Sequence, residues 1–237
     1  MSKNLFVTGT GTEIGKTYIA GLIAKTLHEA GLNVAYYKAA MSGNERRPDG
    51  SLIPGDALFV KEIPGISQSL ESMCPYVYEN AVSPHLASRI EGNPVNMDVI
   101  EQTFQAVCHT HDYVVVEGSG GITCPLRFDE EKIFLEDIVR RFSLPSLLVA
   151  DAGLGTINGV VLTYEYMEQK KLPLKGIIFN NFHPGNVMEE DNRHMCETLT
   201  GLDVLSCVSQ GDKNLPGLSA EKLAALFADS FLQPESL

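Results

Sequence analysis

The sequence predicts an α/β protein, a single doubly wound domain over residues 1–237 with a mostly parallel sheet. Short apolar runs alternate with amphipathic stretches along the whole chain, which is the order expected when each strand is followed by a crossover helix. Several of the runs are apolar without alternation, and such strands are typically covered by helices on both faces. A length of 237 residues suits one such domain and is short for two.

The first elements are a strand and a long amphipathic helix. A helix is predicted over residues 16–30, because apolar residues recur there at every fourth position. Gly31, directly after it, is a typical helix stop. The apolar runs predict strands at residues 5–7, 34–38, 113–116, 147–149 and 176–179.

Two more helices and one irregular segment complete the prediction. Ser83 and Pro84 are typical of a helix start, and Gly92 is typical of its end. One face of another helix is predicted from Val99, Ile100, Thr103, Phe104 and Val107. Residues 41–55 are rich in Gly, Pro and Arg and predict an irregular, mobile loop near the site.

The composition argues against several classes of function. The 18 Lys and Arg against 30 Asp and Glu give a formal charge of −12, so neither nucleic acid nor an anionic membrane is an expected partner. The five cysteines are scattered and form no CxxC pair, which indicates neither a disulfide framework nor a zinc site. With no secretion-signal pattern and no apolar stretch of about 20 residues, the sequence predicts a cytoplasmic protein.

The strongest motif is Gly-Thr-Gly-Thr-Glu-Ile-Gly-Lys-Thr at residues 9–17. It follows a predicted strand and opens a predicted helix, the context in which a phosphate loop binds through backbone amides and a helix N-terminus. Lys16 is expected to reach the β- and γ-phosphates, and Thr17 to offer its hydroxyl to Mg²⁺. Five residues separate Gly9 from Gly15, one more than in the standard motif. The motif predicts a P-loop NTPase-like fold, and a plain glycine-rich turn before a helix is the alternative.

Further candidates stand where predicted strands end, the edge at which open α/β sheets bind ligands. Lys38 ends the second strand, although a lysine there could equally be solvated. Glu117 precedes a glycine-rich turn, where a carboxylate can approach a metal-bound triphosphate, and hard oxygen ligands suit Mg²⁺. Asp56 is the second candidate carboxylate, with an ordinary helix N-cap as its alternative.

Two polar residues end later strands. Asn180 carries an amide that could pair with a base edge or simply form a turn. Asp151 follows Leu-Leu-Val-Ala and resembles a metal-binding Asp of other phosphate-loop enzymes, but it ranks second to Glu117.

Taken together, these segments resemble the dethiobiotin synthetase family across most of the chain. Phosphate loops alone occur in many families, whereas the longer loop combined with an ordered series of further segments is specific. The series is Tyr37-Lys38, Ser42-Gly43, Asp56-Ala57-Leu58, Ser83-Pro84-His85, Glu117-Gly118, Gly120-Gly121, Leu154-Gly155-Thr156-Ile157-Asn158 and Asn180.

The resemblance implies an ATP- and Mg²⁺-dependent cyclo-ligase of biotin biosynthesis. In this family CO₂ and one amine of 7,8-diaminopelargonate form a carbamate, which ATP then phosphorylates. The neighbouring amine attacks the mixed anhydride, which closes the ureido ring of dethiobiotin. The family also implies a homodimer, in which a turn receives the substrate's carboxylate tail from the partner subunit.

By position, the resemblance implies roles for individual residues. Lys38 and Lys16 are the expected catalytic residues. The expected ATP-binding residues are Glu13, Ile14, Gly15, Lys16, Thr17, Asp56, Glu117, Gly118 and Asn180, with Asn180 on the adenine. The expected magnesium ligands are Thr17, Asp56 and Glu117. Substrate contacts are expected at Thr12 and Ser42, and for the tail at Gly155, Thr156, Ile157 and Asn158.

Three positions depart from the family pattern. Gly159 stands where a histidine usually follows the Ile-Asn pair, which bears on tail binding. Ser206 and Ser209 stand where the family commonly has Gly and Pro beside the adenine pocket, which bears on nucleotide preference.

Two other functions fit parts of the pattern. An ATP-driven switch of the partitioning or metallocentre-assembly type shares the phosphate loop, but those relatives have an additional early lysine where this chain has Thr10 or Gly11. A nucleotide-binding regulatory module is the other. Such modules are normally fused to a second domain, for which 237 residues leave no room.

Overall fold

The computed structural model describes residues 2–63 and 65–229. In chain order the elements are β1 (Lys3–Gly9), α1 (Lys16–Glu29), β2 (Val34–Tyr37), β3 (Ala40–Met41), β4 (Glu45–Arg46), β5 (Leu52–Ile53), α2 (Gly55–Glu62), α3 (Leu70–Met73), β6 (Tyr76–Val77), α4 (Pro84–Ile90), α5 (Met97–Thr110), β7 (Tyr113–Glu117), β8 (Pro125–Phe128), β9 (Lys132–Phe134), α6 (Leu135–Arg141), β10 (Ser146–Asp151), α7 (Thr156–Gln169), β11 (Leu174–Asn180), α8 (Val187–Thr200), β12 (Val204–Cys207), α9 (Ala220–Ala224) and β13 (Ala228–Asp229). The five predicted strands are all present. β1, β7, β10 and β11 are one to four residues longer than predicted, whereas β2 ends at Tyr37, one residue before its predicted end.

The main sheet runs in the order β12-β11-β10-β1-β7-β2, and all five of these neighbouring pairs are parallel. β13 adds a short antiparallel pair with the start of β1. Three two-stranded pairs lie outside this sheet: β3 with β6, β4 with β5, and β8 with β9. The predicted mostly parallel α/β sheet is confirmed.

Helices cover both faces of the sheet. Strand β2 is apolar throughout because its side chains are buried on both of these faces. Successive side chains of a strand point to opposite faces. Tyr36 accordingly packs into the core that contains the buried face of α1, whereas Tyr37 packs against Phe104 of α5 on the other face. A third core lies between β10, β11, α7 and α8. The doubly wound arrangement follows from this two-sided burial.

Helix α1 begins at Lys16 as predicted and ends at Glu29, one residue before the predicted end. The glycine before it has a φ of 88° and Gly31 after it a φ of 79°, both in the left-handed region that glycine adopts without strain. Ile19, Ile23 and Leu27 are completely buried, and each such side chain contributes about 1.5–3 kcal/mol of stability.

Helix α5 buries a narrower face than the sequence predicts. Ile100, Phe104 and Val107 are buried, whereas Val99 is 39% exposed. The three buried residues are spaced so that they lie along one face of the helix. Val99 lies about 100° around the helix axis from Ile100, the first residue of that face. Asn96 caps this helix, because its side chain accepts hydrogen bonds from the backbone N–H groups of Asp98 and Val99.

The segment of residues 41–55 is more regular than predicted. β4 and β5 pair antiparallel, with Glu45 opposite Ile53 and Arg46 opposite Leu52. The turn between them is closed by Asp49, whose carboxylate accepts from the backbone N–H of Ser51 at 2.9 Å. An Asx turn of this kind can hold a short hairpin without any apolar run to mark its strands, and the prediction of an irregular loop was therefore wrong at these residues.

Within residues 2–63 and 65–229, none of the helices combines the length and the apolar character that a membrane crossing requires.

Candidate active site

The carboxyl ends of β1, β2 and β7 lie side by side, because these strands are adjacent and parallel. The phosphate loop leaves β1 at Gly9. Tyr37 of β2 is paired with Val116 of β7, so the residues that follow them, Lys38 and Glu117, are level with each other. Strand register therefore brings a lysine and a glutamate to the phosphate loop.

The phosphate loop turns through left-handed backbone at Glu13, with a φ of 60°, and at Gly15, with a φ of 88°. A β-carbon at Gly15 would lie 2.1 Å from Asn180 Nδ2, so a side chain does not fit there. Lys16 is 6% exposed, and its Nζ donates to the carbonyl oxygen of Gly11 at 2.6 Å. Burial lowers the pKa of Lys16 below its ordinary value of 10.5.

Glu117 is the centre of the hydrogen-bond network, and its side chain is completely buried. Its Oε1 accepts from Thr17 Oγ1 at 2.8 Å and from Lys38 Nζ at 2.7 Å. Its Oε2 accepts from Tyr36 Oη at 2.8 Å. A buried carboxylate requires this kind of pairing, because the desolvation of an unpaired charge is costly.

Lys38 lies between two carboxylates. Its Nζ is 2.6 Å from Asp56 Oδ2 and 2.7 Å from Glu117 Oε1, and its side chain is 6% exposed. Burial on its own would lower the pKa of Lys38, but Glu117 and Asp56 outweigh it and hold that pKa above its ordinary value. Lys38 is therefore a cation at neutral pH, and because its side chain is buried, the alternative of a solvated lysine is wrong.

These residues line a cavity of about 840 Å³. The predicted site residues on its wall are Thr12, Glu13, Gly15, Lys16, Thr17, Lys38, Ser42, Asp56 and Glu117. The remaining wall is formed by Met41, Gly43, Ala81, Val82, Ser83, Pro84, Ser119, Gly120, Gly121, Thr123, Cys124 and Pro125. The cavity thus joins a charged floor to a wall with several apolar side chains.

The oxygen atoms expected as magnesium ligands converge on one small volume. Thr17 Oγ1 and Lys38 Nζ share Glu117 Oε1, and Asp56 Oδ2 contacts the same Nζ from the other side. The two carboxylates already bind one cation, the ammonium group of Lys38. Their oxygens, with the hydroxyl of Thr17, are also the type of ligand that a hard metal ion such as Mg²⁺ prefers. Across the described ranges, no cluster of three or more His, Cys, Asp or Glu could bind a metal unaided. Phosphate and water oxygens would have to complete the ligand set.

Asn180 lies against the phosphate loop, outside the lining of this cavity. Its Nδ2 donates to the carbonyl oxygen of Ile14 at 3.0 Å, and its side chain covers Gly15. The amide thus has a structural contact, and one further N–H and its carbonyl oxygen can still contact a base.

Asp151 makes hydrogen bonds that differ from those of Glu117. Its Oδ1 accepts from the backbone N–H of Gly153 at 2.8 Å, and its Oδ2 accepts from Asn181 Nδ2 at 2.7 Å. No cation contacts it among the residues that the structure describes. The carboxylate therefore shapes the turn before α7, in agreement with its lower rank in the sequence analysis.

The turn expected to contact the substrate tail lies away from the cavity. Gly155 and Asn158 are exposed, whereas Thr156 is buried and its hydroxyl is without a described hydrogen-bond partner. A β-carbon at Gly159 would lie 3.3 Å from Thr10 Cβ, so α7 approaches the phosphate loop closely at the position where the family usually has histidine.

The two serines that depart from the family pattern lie in strand β12 and in the segment just after it, and both residues make hydrogen bonds. Ser206 is buried, and its Oγ donates to the carbonyl oxygen of Pro216 at 2.9 Å. The backbone N–H of Ser209 donates to Asp212 Oδ2 at 2.8 Å. A proline at this position has no N–H group to make that contact.

A second, apolar depression lies on the surface of α7 and α8. It has a volume of about 460 Å³. Its wall includes several exposed apolar side chains, and Leu154 is 92%, Leu162 61% and Leu199 48% exposed. Asn158 and Gly155 lie on the same wall. A group of exposed leucines marks an interaction surface more often than an isolated one.

Tyr36, Ser119 and Cys124 also belong to the site or its wall but were not predicted from the sequence. Tyr36 stands two residues before Lys38, so strand alternation puts both side chains on one face, a signal that could have found it. Ser119 Oγ donates to the carbonyl oxygen of Ala40 at 2.5 Å on the cavity wall. Cys124 lines the cavity too, and burial raises the pKa of its thiol to about 11.

Comparison with known proteins gives a consistent result. Residues 3–215 match the family model described as an AAA domain. A protein of Brachyspira hyodysenteriae named ATP-dependent dethiobiotin synthetase BioD is 48% identical over 224 residues, which cover 94% of this chain and 99% of that protein. Proteins of the same name from Clostridium botulinum and Clostridium perfringens are 41% and 45% identical, over 97% and 88% of this chain and 100% and 91% of theirs.

Solved structures share the fold at low sequence identity. The MinC:MinD cell division protein complex of Aquifex aeolicus matches with a TM-score of 0.54 at 12% identity, covering 95% of this chain and 86% of that one. A ParA family ATPase from Chlorobium tepidum matches with a TM-score of 0.53 at 13% identity, covering 95% and 90%. At these identities the likeness establishes the fold alone.

Proposed function

The chain belongs to the ATP-dependent dethiobiotin synthetases, a family of ligases, and from this premise we propose that it closes the ureido ring of dethiobiotin from 7,8-diaminopelargonate, CO₂ and ATP with Mg²⁺. One observation carries the mechanism: Lys16, Lys38 and Glu117 meet at the floor of a single cavity beside the phosphate loop. Two buried cations beside a phosphate-binding turn are what phosphoryl transfer to a carbamate requires.

The proposed reaction has three bond-forming steps. One amine nitrogen of the substrate attacks the carbon of CO₂ and loses a proton, which gives a carbamate. A carbamate oxygen attacks the γ-phosphorus, and ADP leaves. The second amine nitrogen attacks the carbamate carbon of the resulting mixed anhydride and loses a proton, and the C–O bond to phosphate breaks as the ring closes and phosphate leaves.

Lys16 and Lys38 would divide the stabilisation of negative charge between them. Lys16 follows the loop amides, so its ammonium is suited to the β- and γ-phosphates once it leaves the carbonyl of Gly11. Lys38 stays protonated because of its carboxylate neighbours, so it acts as a cation near the carbamate and the transferred phosphoryl group, and not as a base.

Thr17, Asp56 and Glu117 would hold magnesium, which would supply neutralisation of the triphosphate's negative charge when bound. The ion pairs of Lys38 with Asp56 and Glu117 support the assignment, because both carboxylates already interact with a positive charge at this place. The three residues bring a hydroxyl and two carboxylates, and an octahedral ion takes its remaining ligands from phosphates and water.

Thr12 and Ser42 would contact the diamine. Ser42 Oγ donates to the carbonyl oxygen of Val82 at 2.6 Å, which leaves its lone pairs free to accept a hydrogen bond from an amine. Met41, Val82 and Pro84 on the same wall offer apolar contact to the substrate's alkyl chain. These contacts support a diamine with a hydrocarbon tail as the substrate.

A second copy of the chain would cover the apolar surface of α7 and α8. Its exposed leucines lie on the wall shared with Gly155 and Asn158, two of the residues expected to receive the substrate tail. A homodimer through this surface would therefore bury the leucines and bring the tail-binding turn to a subunit interface.

The proposal is tested by ATP-dependent incorporation of labelled bicarbonate. We expect label in dethiobiotin when 7,8-diaminopelargonate, ATP and Mg²⁺ are all present, with one ATP consumed per ring. As controls, 7,8-diaminopelargonate, ATP or Mg²⁺ is left out in turn. We expect no labelled product in any of these three reactions. ATP hydrolysis that continues without the diamine and without label in a ureido product would contradict the proposal.

A further inference from the structure

Two adjacent tyrosines end strand β2, and both are completely buried. They point to opposite faces of the sheet. Tyr37 Oη contacts the carbonyl oxygen of Ile100 at 3.0 Å and Thr103 Oγ1 at 2.9 Å, far along the face covered by α5. Tyr36 Oη donates to Glu117 Oε2 at 2.8 Å. Only one of two chemically equal side chains therefore reaches the active site.

The two oxygen atoms of Glu117 have different partners. Oε1 accepts from Thr17 and Lys38, and both of these side chains face the cavity. For Oε2, Tyr36 is the sole donor within the described part of the chain. The phenol thus holds the oxygen that points away from the cavity and fixes the rotation of the carboxylate about its own axis.

The backbone of Tyr36 is itself held in place. β2 is the edge strand of the sheet, so one side of its backbone has no neighbouring strand. The buried side chain of Gln68 fills this position: its Oε1 accepts from the backbone N–H of Tyr36 at 2.8 Å, and its Nε2 donates to the carbonyl oxygen at 2.9 Å. Both backbone groups are satisfied, and the phenol has little freedom to leave Glu117.

We propose that Tyr36 is a positioning residue of the enzyme: by holding Oε2 it keeps Oε1 of Glu117 directed at the cation site shared by Thr17, Lys38 and Asp56. The inference rests on the proposed function, since it takes Glu117 as a magnesium ligand. Groups that hydrogen-bond to a metal ligand orient it and tune its affinity, even though they never touch the metal.

Removal of the phenolic oxygen has a defined physical consequence. In Tyr36→Phe, Oε2 becomes a buried anionic oxygen without a donor, which is costly. The carboxylate lowers that cost when it rotates and offers both oxygens to Lys38. When Glu117 is paired more tightly with Lys38, its oxygens are less available to a metal ion. The substitution should therefore lower the affinity for the metal.

The test measures Mn²⁺ binding to the whole protein in the presence of a non-hydrolysable ATP analogue, with free Mn²⁺ quantified by electron paramagnetic resonance. We expect Tyr36→Phe to weaken Mn²⁺ binding by about tenfold or more, the range found when a hydrogen-bond partner of a metal ligand is removed. In ring closure, the same variant should need a higher Mg²⁺ concentration for half-maximal rate, whereas Tyr37→Phe should keep the Mg²⁺ dependence of the wild type.

Tyr37→Phe is the matched control. It removes the same atom from an equally buried tyrosine one residue along the strand, so both variants should lower the Tm to a similar degree. A purely structural role for Tyr36 predicts that the two variants bind Mn²⁺ alike. We expect Tyr37→Phe to bind Mn²⁺ as the wild type does.

The outcomes separate this inference from the proposed function. Equal Mn²⁺ affinity in wild type, Tyr36→Phe and Tyr37→Phe overturns the inference, and so does wild-type protein that binds no Mn²⁺ beside the nucleotide analogue. The metal measurement requires no turnover. Failure of the proposed function would instead appear as absence of labelled dethiobiotin from wild-type protein that binds Mn²⁺ and nucleotide normally.

Discussion

The carboxyl edge of the sheet has two halves with different chemistry. In the half formed by β1, β2 and β7, Lys16, Lys38 and Glu117 are buried charged groups that face one cavity. In the half formed by β10, β11 and β12, Asp151 accepts from the backbone N–H of Gly153 in the next turn, and Asn180 donates to the backbone carbonyl of Ile14 in the phosphate loop. Both halves end in polar side chains, but only the first gathers opposite charges at short distance.

The difference in charge between the two halves distinguishes an active site from a sheet edge whose polar side chains only make hydrogen bonds to uncharged groups. A buried charge is costly unless it is paired, so a protein keeps several of them together only where function requires it. Polar groups that satisfy a local backbone donor or acceptor carry no such cost. We therefore expect substitutions in the first half to change the chemistry and those in the second half to change stability, association or nucleotide binding.

The largest effect is expected for Lys38→Met, which removes the cation between Asp56 and Glu117. Loss of one stabilising group of this kind costs about 10²–10³-fold in kcat. Ring closure measured with labelled bicarbonate should fall by that factor, while binding of the nucleotide analogue stays measurable by calorimetry. Ring closure at the wild-type rate would show that Lys38 has no catalytic role.

A change in the apolar surface of α7 and α8 should come next. In Leu162→Asp, a charge replaces a leucine that is 61% exposed in the single chain. If this leucine is a binding hot spot of about 2 kcal/mol, the dissociation constant of the homodimer rises by about 30-fold. Sedimentation velocity measures the change, with Val99→Asp as the control at an exposed apolar residue on another helix.

The same pair of variants can contradict the proposed dimer. If Leu162→Asp and Val99→Asp sediment alike, the surface of α7 and α8 is not the subunit interface. If Leu162→Asp is monomeric, its KM for the diamine should also rise, because the tail-binding turn lies on the same surface.

Asp151→Asn tests the second half of the edge directly. The variant places an amide group beside either the backbone N–H of Gly153 or the side-chain amide of Asn181, so one hydrogen bond is lost. We expect the free energy of unfolding in urea to fall by about 1 kcal/mol and kcat to stay within about twofold of wild type. A decrease in kcat of the size expected for Lys38→Met would make Asp151 a metal ligand and reverse the comparison.

The smallest effect concerns the protonation of Lys16. Burial lowers its pKa below 10.5, whereas the pKa of Lys38 is raised, so Lys16 loses its proton first as the pH increases. A triphosphate favours the ammonium form. Binding of the nucleotide analogue at alkaline pH should therefore take up a fraction of a proton, as measured by calorimetry in two buffers of different ionisation enthalpy.

The control for this measurement is the same titration near neutral pH, where a larger fraction of Lys16 carries its proton and proton uptake is expected to be smaller. Proton uptake confined to pH values close to 10.5 would mean that Lys16 keeps an ordinary pKa beside the loop.

The sequence predicted the first half of the edge better than the second. The phosphate loop, Lys38 and Glu117 could be found because each follows an apolar strand directly, and parallel strands bring such residues together. Asn180 and Ser206 also lie in strands, but the contacts they make could not be predicted. Their hydrogen-bond acceptors are the backbone carbonyl oxygens of Ile14 and Pro216, which no side-chain pattern in the sequence indicates.

Local pattern also failed where tertiary packing decides. The hairpin of β4 and β5 has no apolar alternation, so composition alone indicated a loop. The contact between Tyr36 and Glu117 requires knowledge that β2 and β7 are neighbours, which strand order in the chain does not give. The extent of a single domain to residue 237 stays a prediction, because part of it lies outside the described residues.

The central claim is that the buried charges of β1, β2 and β7 hold a triphosphate with its terminal phosphoryl group facing Lys38. A crystal structure with the nucleotide analogue, Mg²⁺ and 7,8-diaminopelargonate tests it most directly. We predict that the γ-phosphate lies beside Lys38 and that Mg²⁺ is bound by Thr17, Asp56 and Glu117. A γ-phosphate directed away from Lys38, or a metal bound at Asp151 instead, would contradict the account.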